Sequence, residues 1–294
     1  QSKSNIEYIV SKARTLPVNV RPIGAVTRNC EGKELAEMYD MRASGAVAFS
    51  DGIHPVQSAG LLVKALQYVK AFGGVIMQLP DDKSINPHGL MHEGIISTQL
   101  GMAGKPALAE ELVVNRDIEL TRYADSQIHF TAISTARSVA AIRAAKAAGP
   151  GISCSVTPYH LYFCDEDITT YDSNLKVNPP LRTKEDRAAL KAALINGDID
   201  CIATHHLPHE YDSKVLEFEY AKHGMIGLET AFGVLQTAVP ELKPEQWVQL
   251  LAIGPRKAFG LDPVVIEKGA VASLTLFDPA EKWTVSENDF RSRS

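Results

Sequence analysis

The sequence predicts a parallel α/β fold, and two observations carry that prediction. Short apolar runs alternate with helical stretches along most of the chain, the pattern of successive strand–helix–strand units. At 294 residues, the chain has the length of one large α/β barrel or of two smaller domains. No internal repeat or low-complexity linker interrupts the alternation.

Taken in order, residues 5–14 read as a helix. An apolar strand follows over 18–26, with Pro17 before it and a turn at 29–32 after it. A helix over 33–42 leads to a short buried strand over 46–49, which ends in the polar Ser50-Asp51-Gly52. The amphipathic helix over 59–72 stops at Gly73-Gly74, since glycine readily leaves the helical conformation. A strand over 75–79 ends at Pro80-Asp81-Asp82. Then come a long helix over 106–125, a strand over 128–133 and a helix over 136–148. A strand over 152–157, a helix over 184–195 and a strand over 200–203 continue the series. Segment 165–182 breaks the rhythm, and structureless loops of that length tend to be functional or mobile. A helix is expected over 245–259, and 269–279 reads as a β-strand bounded by turn signals.

Composition narrows the function classes. With 45% apolar and 22% charged residues, the chain is ordinary for a soluble globular protein. A net charge of −5 without a basic stripe gives no support for nucleic-acid binding. No apolar run approaches the roughly 18 residues of a membrane span, and no signal-peptide pattern opens the chain. Cys30, Cys154, Cys164 and Cys201 form no CxxC pair, so reduced thiols and a cytoplasmic location are expected.

The most informative stretch is Asp200-Cys201-Ile202-Ala203-Thr204-His205-His206-Leu207-Pro208-His209. An apolar strand ends there in three histidines within five positions. Side chains at the carboxyl ends of barrel strands face the active site. Histidines there suit metal binding, proton transfer or an anionic substrate; the plainer reading is a polar loop capping the strand. Other blocks follow in fixed order: Gly45 to Gly52, Met91-His92-Glu93-Gly94, Ile133-Ser134-Thr135, Val156 to Leu161, Lys176 to Arg182, and Gly227-Leu228-Glu229-Thr230. As a set they resemble class I dihydroorotases, zinc amidohydrolases of the cyclic amidohydrolase group. The resemblance covers nearly the whole chain. It implies a TIM-like (β/α)8 barrel over 1–260, incomplete at its N-terminus, and a β segment over 261–294 belonging to a small β-sandwich. It also implies that a first barrel strand with HxH zinc ligands lies upstream of Gln1, since no HxH occurs in this sequence.

The resemblance further implies that the metal positions are substituted. The bridging aspartate falls at Gly52, beside Asp51, and two histidine ligands fall at or beside Leu79 and at Ala132. The catalytic aspartate falls at His205. No zinc or other cofactor is therefore expected from these residues; a shifted metal site using Asp51, His54, His205 or His206 is the alternative. Asn178, His209 and Gly224 match positions that hold substrate in the family, although Asn178-Pro179-Pro180 also suits a fixed loop turn. His92 and Glu93 read as packing residues at a helix start or loop, and His129 as a partly buried strand histidine. Lys176 and Arg182 read as loop or interface charges, and Tyr159 as a packing residue. The leading expectation is a catalytically impaired dihydroorotase-like protein taking a ureide or dicarboxylate ligand. The alternatives are a non-catalytic partner of aspartate transcarbamoylase and an active zinc cyclic-amide hydrolase with relocated ligands. A homo-oligomer is expected in each case.

Overall fold

The strands of the computed structural model are short, and six of them form one parallel sheet. Residues 2–149 and 151–292 are described; Gln1, Pro150, Arg293 and Ser294, which the expected segments 1–260 and 261–294 include, lie outside the described residues. The strands are β1 (Ile23–Gly24), β2 (Ala48–Phe49), β3 (Ile76–Gln78), β4 (Met91–His92), β5 (Gly104–Lys105), β6 (Ile128–Phe130), β7 (Ile152–Val156) and β8 (Cys201–Ile202). The main sheet runs in the order β1-β2-β3-β6-β7-β8 and curls into a half-barrel, while β4 and β5 pair separately. Ile76 stands opposite Ile128, and Ile128 opposite Ile152.

The helices are α1 (Lys3–Ala13), α2 (Met38–Ala43), α3 (Ala59–Lys70), α4 (Ile95–Leu100), α5 (Leu108–Ala124), α6 (Ala136–Ala148), α7 (Pro158–Tyr162), α8 (Lys184–Asn196), α9 (Tyr211–Lys214), α10 (Ala231–Ala238), α11 (Pro244–Val248) and α12 (Gly254–Ala258). Local chemistry sets several of their starts. Ser58, Thr135, Thr157 and Thr183 each accept a backbone N–H from the first turn of α3, α6, α7 and α8, satisfying donors that a helix start otherwise leaves open. Leu62, Ala65, Leu66 and Val69 put one face of α3 into the core. Phe49, Ile76, Ile128 and Phe130 are fully buried, as expected for parallel strands covered on both faces. Among the described residues, no helix is long and apolar enough to cross a membrane.

Several expectations are corrected. Of the strand expected over 18–26, only Ile23–Gly24 pairs, and the helix expected from 33 starts at Met38. His92 is a strand residue, paired with Lys105. The helix expected over 245–259 breaks into α11, a π-helical turn over Gln249–Ile253, and α12. A Cβ on Gly254 would lie 1.8 Å from the Asp200 carbonyl oxygen, so glycine is needed for this segment to approach β8 so closely. The strand expected over 269–279 does not form among the described residues. Val271 is 94% and Leu276 101% exposed; a strand is stabilised by a ladder partner, and the described residues supply none.

Candidate functional site

A cavity of about 410 Å³ opens at the carboxyl ends of β2, β3, β6, β7 and β8. Gly52 follows β2, Leu79 follows β3, Thr131 follows β6, Tyr159 follows β7 and His205 follows β8, and all of them line it. Strand direction thus brings together positions far apart in the chain, as in parallel barrels generally.

Two of the four side chains that a relocated metal site would need are engaged elsewhere. Asp51 accepts the backbone N–H groups of Val26 and Thr27, each at 2.9 Å, and a hydrogen bond from the Thr27 hydroxyl. It ties the segment after β1 to the end of β2. His206 Nδ1 accepts the N–H groups of Gly227 at 3.1 Å and Leu228 at 3.3 Å, so that lone pair is used. Leu79 and Ala132 are buried hydrocarbon, and Gly52 has no side chain. Among the described residues, no three His, Cys, Asp or Glu side chains are grouped to hold a metal ion. The donor set therefore does not fit a binuclear zinc centre, and the four residues of the shifted-site expectation are not assembled.

His205 sits at φ 45°, and Ala132, at the end of β6, at φ 54°. Both are left-handed conformations unfavourable for residues with a Cβ, the kind of strain that collects at functional strand ends. His205 Nε2 is 2.7 Å from Thr131 Oγ1. Burial pushes its pKa down to about 4, so the ring is neutral at pH 7 and a weak base.

Of the three expected substrate contacts, Asn178 and Gly224 are among the residues lining the cavity, and His209 packs beside Gly224. His209 Nε2 donates to the His223 carbonyl at 2.8 Å. Gly224 has φ 140°, and a Cβ there would come within 2.9 Å of His209 Nε2. His223 also lines the cavity; its Nδ1 donates to the Val177 carbonyl at 3.2 Å, and burial holds its pKa down to about 4.

Comparison with known proteins settles the ancestry. A dihydroorotase from Geobacter metallireducens is 40% identical over the whole of this chain, which spans 70% of that relative. The chain belongs to the dihydroorotase family. A dihydroorotase from Pelotomaculum thermopropionicum is 45% identical over 94% of this chain and 65% of its own length. The family model described as dihydro-orotase-like matches residues 1–138. The L-hydantoinase from Arthrobacter aurescens superposes with a TM-score of 0.75 at 24% identity, over 88% of this chain and 60% of its own. The dihydropyrimidinase from Brevibacillus agri does so with a TM-score of 0.62 at 20% identity, over 74% and 51%; these two likenesses concern the fold. The chain thus spans about two thirds of the dihydroorotases it matches.

Within this family member, the residues that support the site are ones that sequence reasoning missed or misplaced. Arg182 is 4% exposed and Lys176 2% exposed, so these expected loop or interface charges are buried within the chain. Arg182 donates to Ser134 Oγ at 3.0 Å, to the Lys105 carbonyl at 3.0 Å and to His92 Nδ1 at 3.2 Å, with Glu110 3.9 Å away. Glu110 in turn accepts the N–H groups of Ser134 and Thr135. Lys105 pairs with Asp81 at 2.8 Å, and Lys83 with the same carboxylate at 2.6 Å. Arg182, Glu110, Lys105 and Asp81 are buried but paired, which is the condition for tolerating them. Lys214, in an unremarkable Tyr-Asp-Ser-Lys run, donates to three backbone carbonyls around the cavity loop. No local pattern in the sequence signals such partners.

Proposed function

We propose that this chain forms part of a dihydroorotase-like protein of pyrimidine biosynthesis that retains contacts for dihydroorotate or carbamoyl aspartate but is impaired in hydrolysis. One juxtaposition carries this reading: Asn178 and the Gly224 backbone line the same cavity as Gly52 and Leu79, two positions that have lost their metal-binding atoms. Ring, amide and backbone groups suit a ureide or carboxylate oxygen, whereas neutral His205 is a poor substitute for a base aspartate poised near neutral pH. Lys83 and Lys105 also line the cavity but are paired with Asp81, so affinity is expected in the millimolar range, about −4 kcal/mol. Titration of dihydroorotate against the wild-type protein and an Asn178→Ala, His209→Ala double variant tests the reading. Saturable binding lost in the variant supports it; identical flat titrations count against a ligand of this class. A zinc-dependent hydrolytic rate abolished by chelation would show that catalysis is not impaired.

A second reading, a non-catalytic partner of aspartate transcarbamoylase, is favoured by a separate observation. Leu207, Tyr211, Leu216 and Leu228 are large apolar side chains left exposed on the segments that follow β8, a composition suited to protein contact. Co-purification with that enzyme, or a change in its activity on mixing, is the expected result. Two proteins that neither associate nor affect each other end this reading.

A further inference from the structure

A chain of polar side chains crosses the barrel interior from one end of the sheet to the other. Ser153 lines a second cavity, of about 770 Å³, on the side where β3, β6 and β7 begin. Its Oγ is 2.9 Å from His129 Nδ1, and His129 Nε2 is 3.0 Å from Ser155 Oγ. Ser155 donates to Thr131 Oγ1 at 3.1 Å, and Thr131 Oγ1 is 2.7 Å from His205 Nε2 at the site. His129, Thr131 and Ser155 are buried, His129 against the ring of Phe259. Polar groups in such a place stay paired, because an unmade hydrogen bond there is costly.

The direction of one bond sets the others, since each hydroxyl has a single proton. Ser155 gives its proton to Thr131, so its oxygen accepts from His129, and His129 carries its proton on Nε2. His129 Nδ1 then accepts from the Ser153 hydroxyl. Thr131 Oγ1 has His205 Nε2 as its one other side-chain partner among the described residues, so the bond that uses its own proton is the one to that nitrogen. Burial keeps the His205 ring neutral at pH 7, so its one proton lies on Nδ1. That nitrogen has no protein partner among the described residues and is not one of the buried, unpaired polar atoms. It is therefore reachable from the cavity that His205 lines.

The geometry points to His205 as a neutral hydrogen-bond donor, held as the Nδ1–H tautomer by the Thr131–Ser155–His129 chain, that meets an acceptor oxygen of a carboxylate or ureide ligand. Thr131 is the positioning residue. The opposite polarity would present a lone pair to the cavity and select for donors instead. The inference rests on the cavity being the ligand site only in its final step; the tautomer is a property of the ligand-free protein.

Long-range proton–nitrogen spectra of the 15N-labelled protein at pH 7 test it, with the His205 signals identified by their loss in His205→Gln. The expected result is a protonated Nδ1 and an unprotonated Nε2 in the wild type, a mixture of tautomers in Thr131→Val, and restoration in Thr131→Ser. Millimolar dihydroorotate is expected to shift the wild-type Nδ1–H signal. An Nε2–H tautomer or an imidazolium in the wild type overturns the assignment, as does an unchanged tautomer in Thr131→Val. Dihydroorotate that binds while leaving Nδ1 unmoved overturns the donor role. Dihydroorotate that fails to bind at all instead overturns the ligand reading of the cavity, and the ligand-free spectrum still decides the tautomer.

Discussion

The Lys214 ammonium donates to the Gly224 carbonyl at 2.9 Å, and with its other protons to the Lys222 carbonyl at 2.9 Å and the Ser173 carbonyl at 2.6 Å. Its three donors are thus all used on backbone, two of them on the loop that brings Gly224 to the cavity. Gly224 is held from its other side too, its N–H donating to the Lys176 carbonyl at 2.8 Å.

Lys214→Met leaves these three carbonyls without their charged donor. A loss of about 2–4 kcal/mol is expected, the scale of breaking a buried charged hydrogen-bond set. Urea denaturation reads the loss, and hydrogen exchange over residues 222–227 should speed up with it. Unchanged exchange would show that the loop is held by other contacts.

Gly224→Ala places a Cβ 2.9 Å from both His209 Nε2 and a Leu207 methyl, at a φ of 140°. Steric displacement and backbone strain together should cost about 2–3 kcal/mol. The melting temperature should fall, and the hydrogen bond from His209 to the His223 carbonyl should be lost. An alanine variant as stable as the wild type would mean that the loop shifts freely.

Asp51→Ala removes the acceptor of two buried N–H groups, those of Val26 and Thr27. It should destabilise the protein by about 2–4 kcal/mol. Zinc content, measured by elemental analysis, should be far below one ion per chain in both wild type and variant. Stoichiometric zinc in the wild type that disappears in the variant would make Asp51 a ligand rather than an anchor.

Acid should destabilise the fold through its buried histidines. Burial lowers His129 from 6.5 to about 3, and does the same for His160, whose Nε2 donates to the Pro179 carbonyl at 3.1 Å. Between those values the unfolded chain binds more protons than the folded one, so stability rises with pH across the window. It should be level above about pH 7 and fall below pH 6.5, by about 1.4 kcal/mol per pH unit for each ring. Denaturation midpoints at pH 7.5, 6.5 and 5.5 check this. A flat series would mean that the rings take up protons while folded.

Much of the scaffold was legible in the sequence because it is written in local chemistry. Apolar spacing reports which face of a helix is buried, and so located α3, α5, α6 and α8 to within a few residues. The same reading put Gly52, Leu79 and His205 at strand ends, and those three positions share one cavity.

What only the tertiary structure decided is which distant groups meet. Lys176, Arg182 and Lys214 look like any surface charge in sequence; each is buried because carbonyls or a carboxylate from other segments surround it. His209 was named by its place in the motif, and its packing against Gly224 could not be read there. The break before α12 follows from the approach of Gly254 to Asp200, and the unpaired segment over 269–279 from the lack of a ladder partner among the described residues. Periodicity records that a residue is buried. The partners that make burial of a charge or a strand tolerable lie tens of residues away, and only the folded chain brings them within hydrogen-bonding distance.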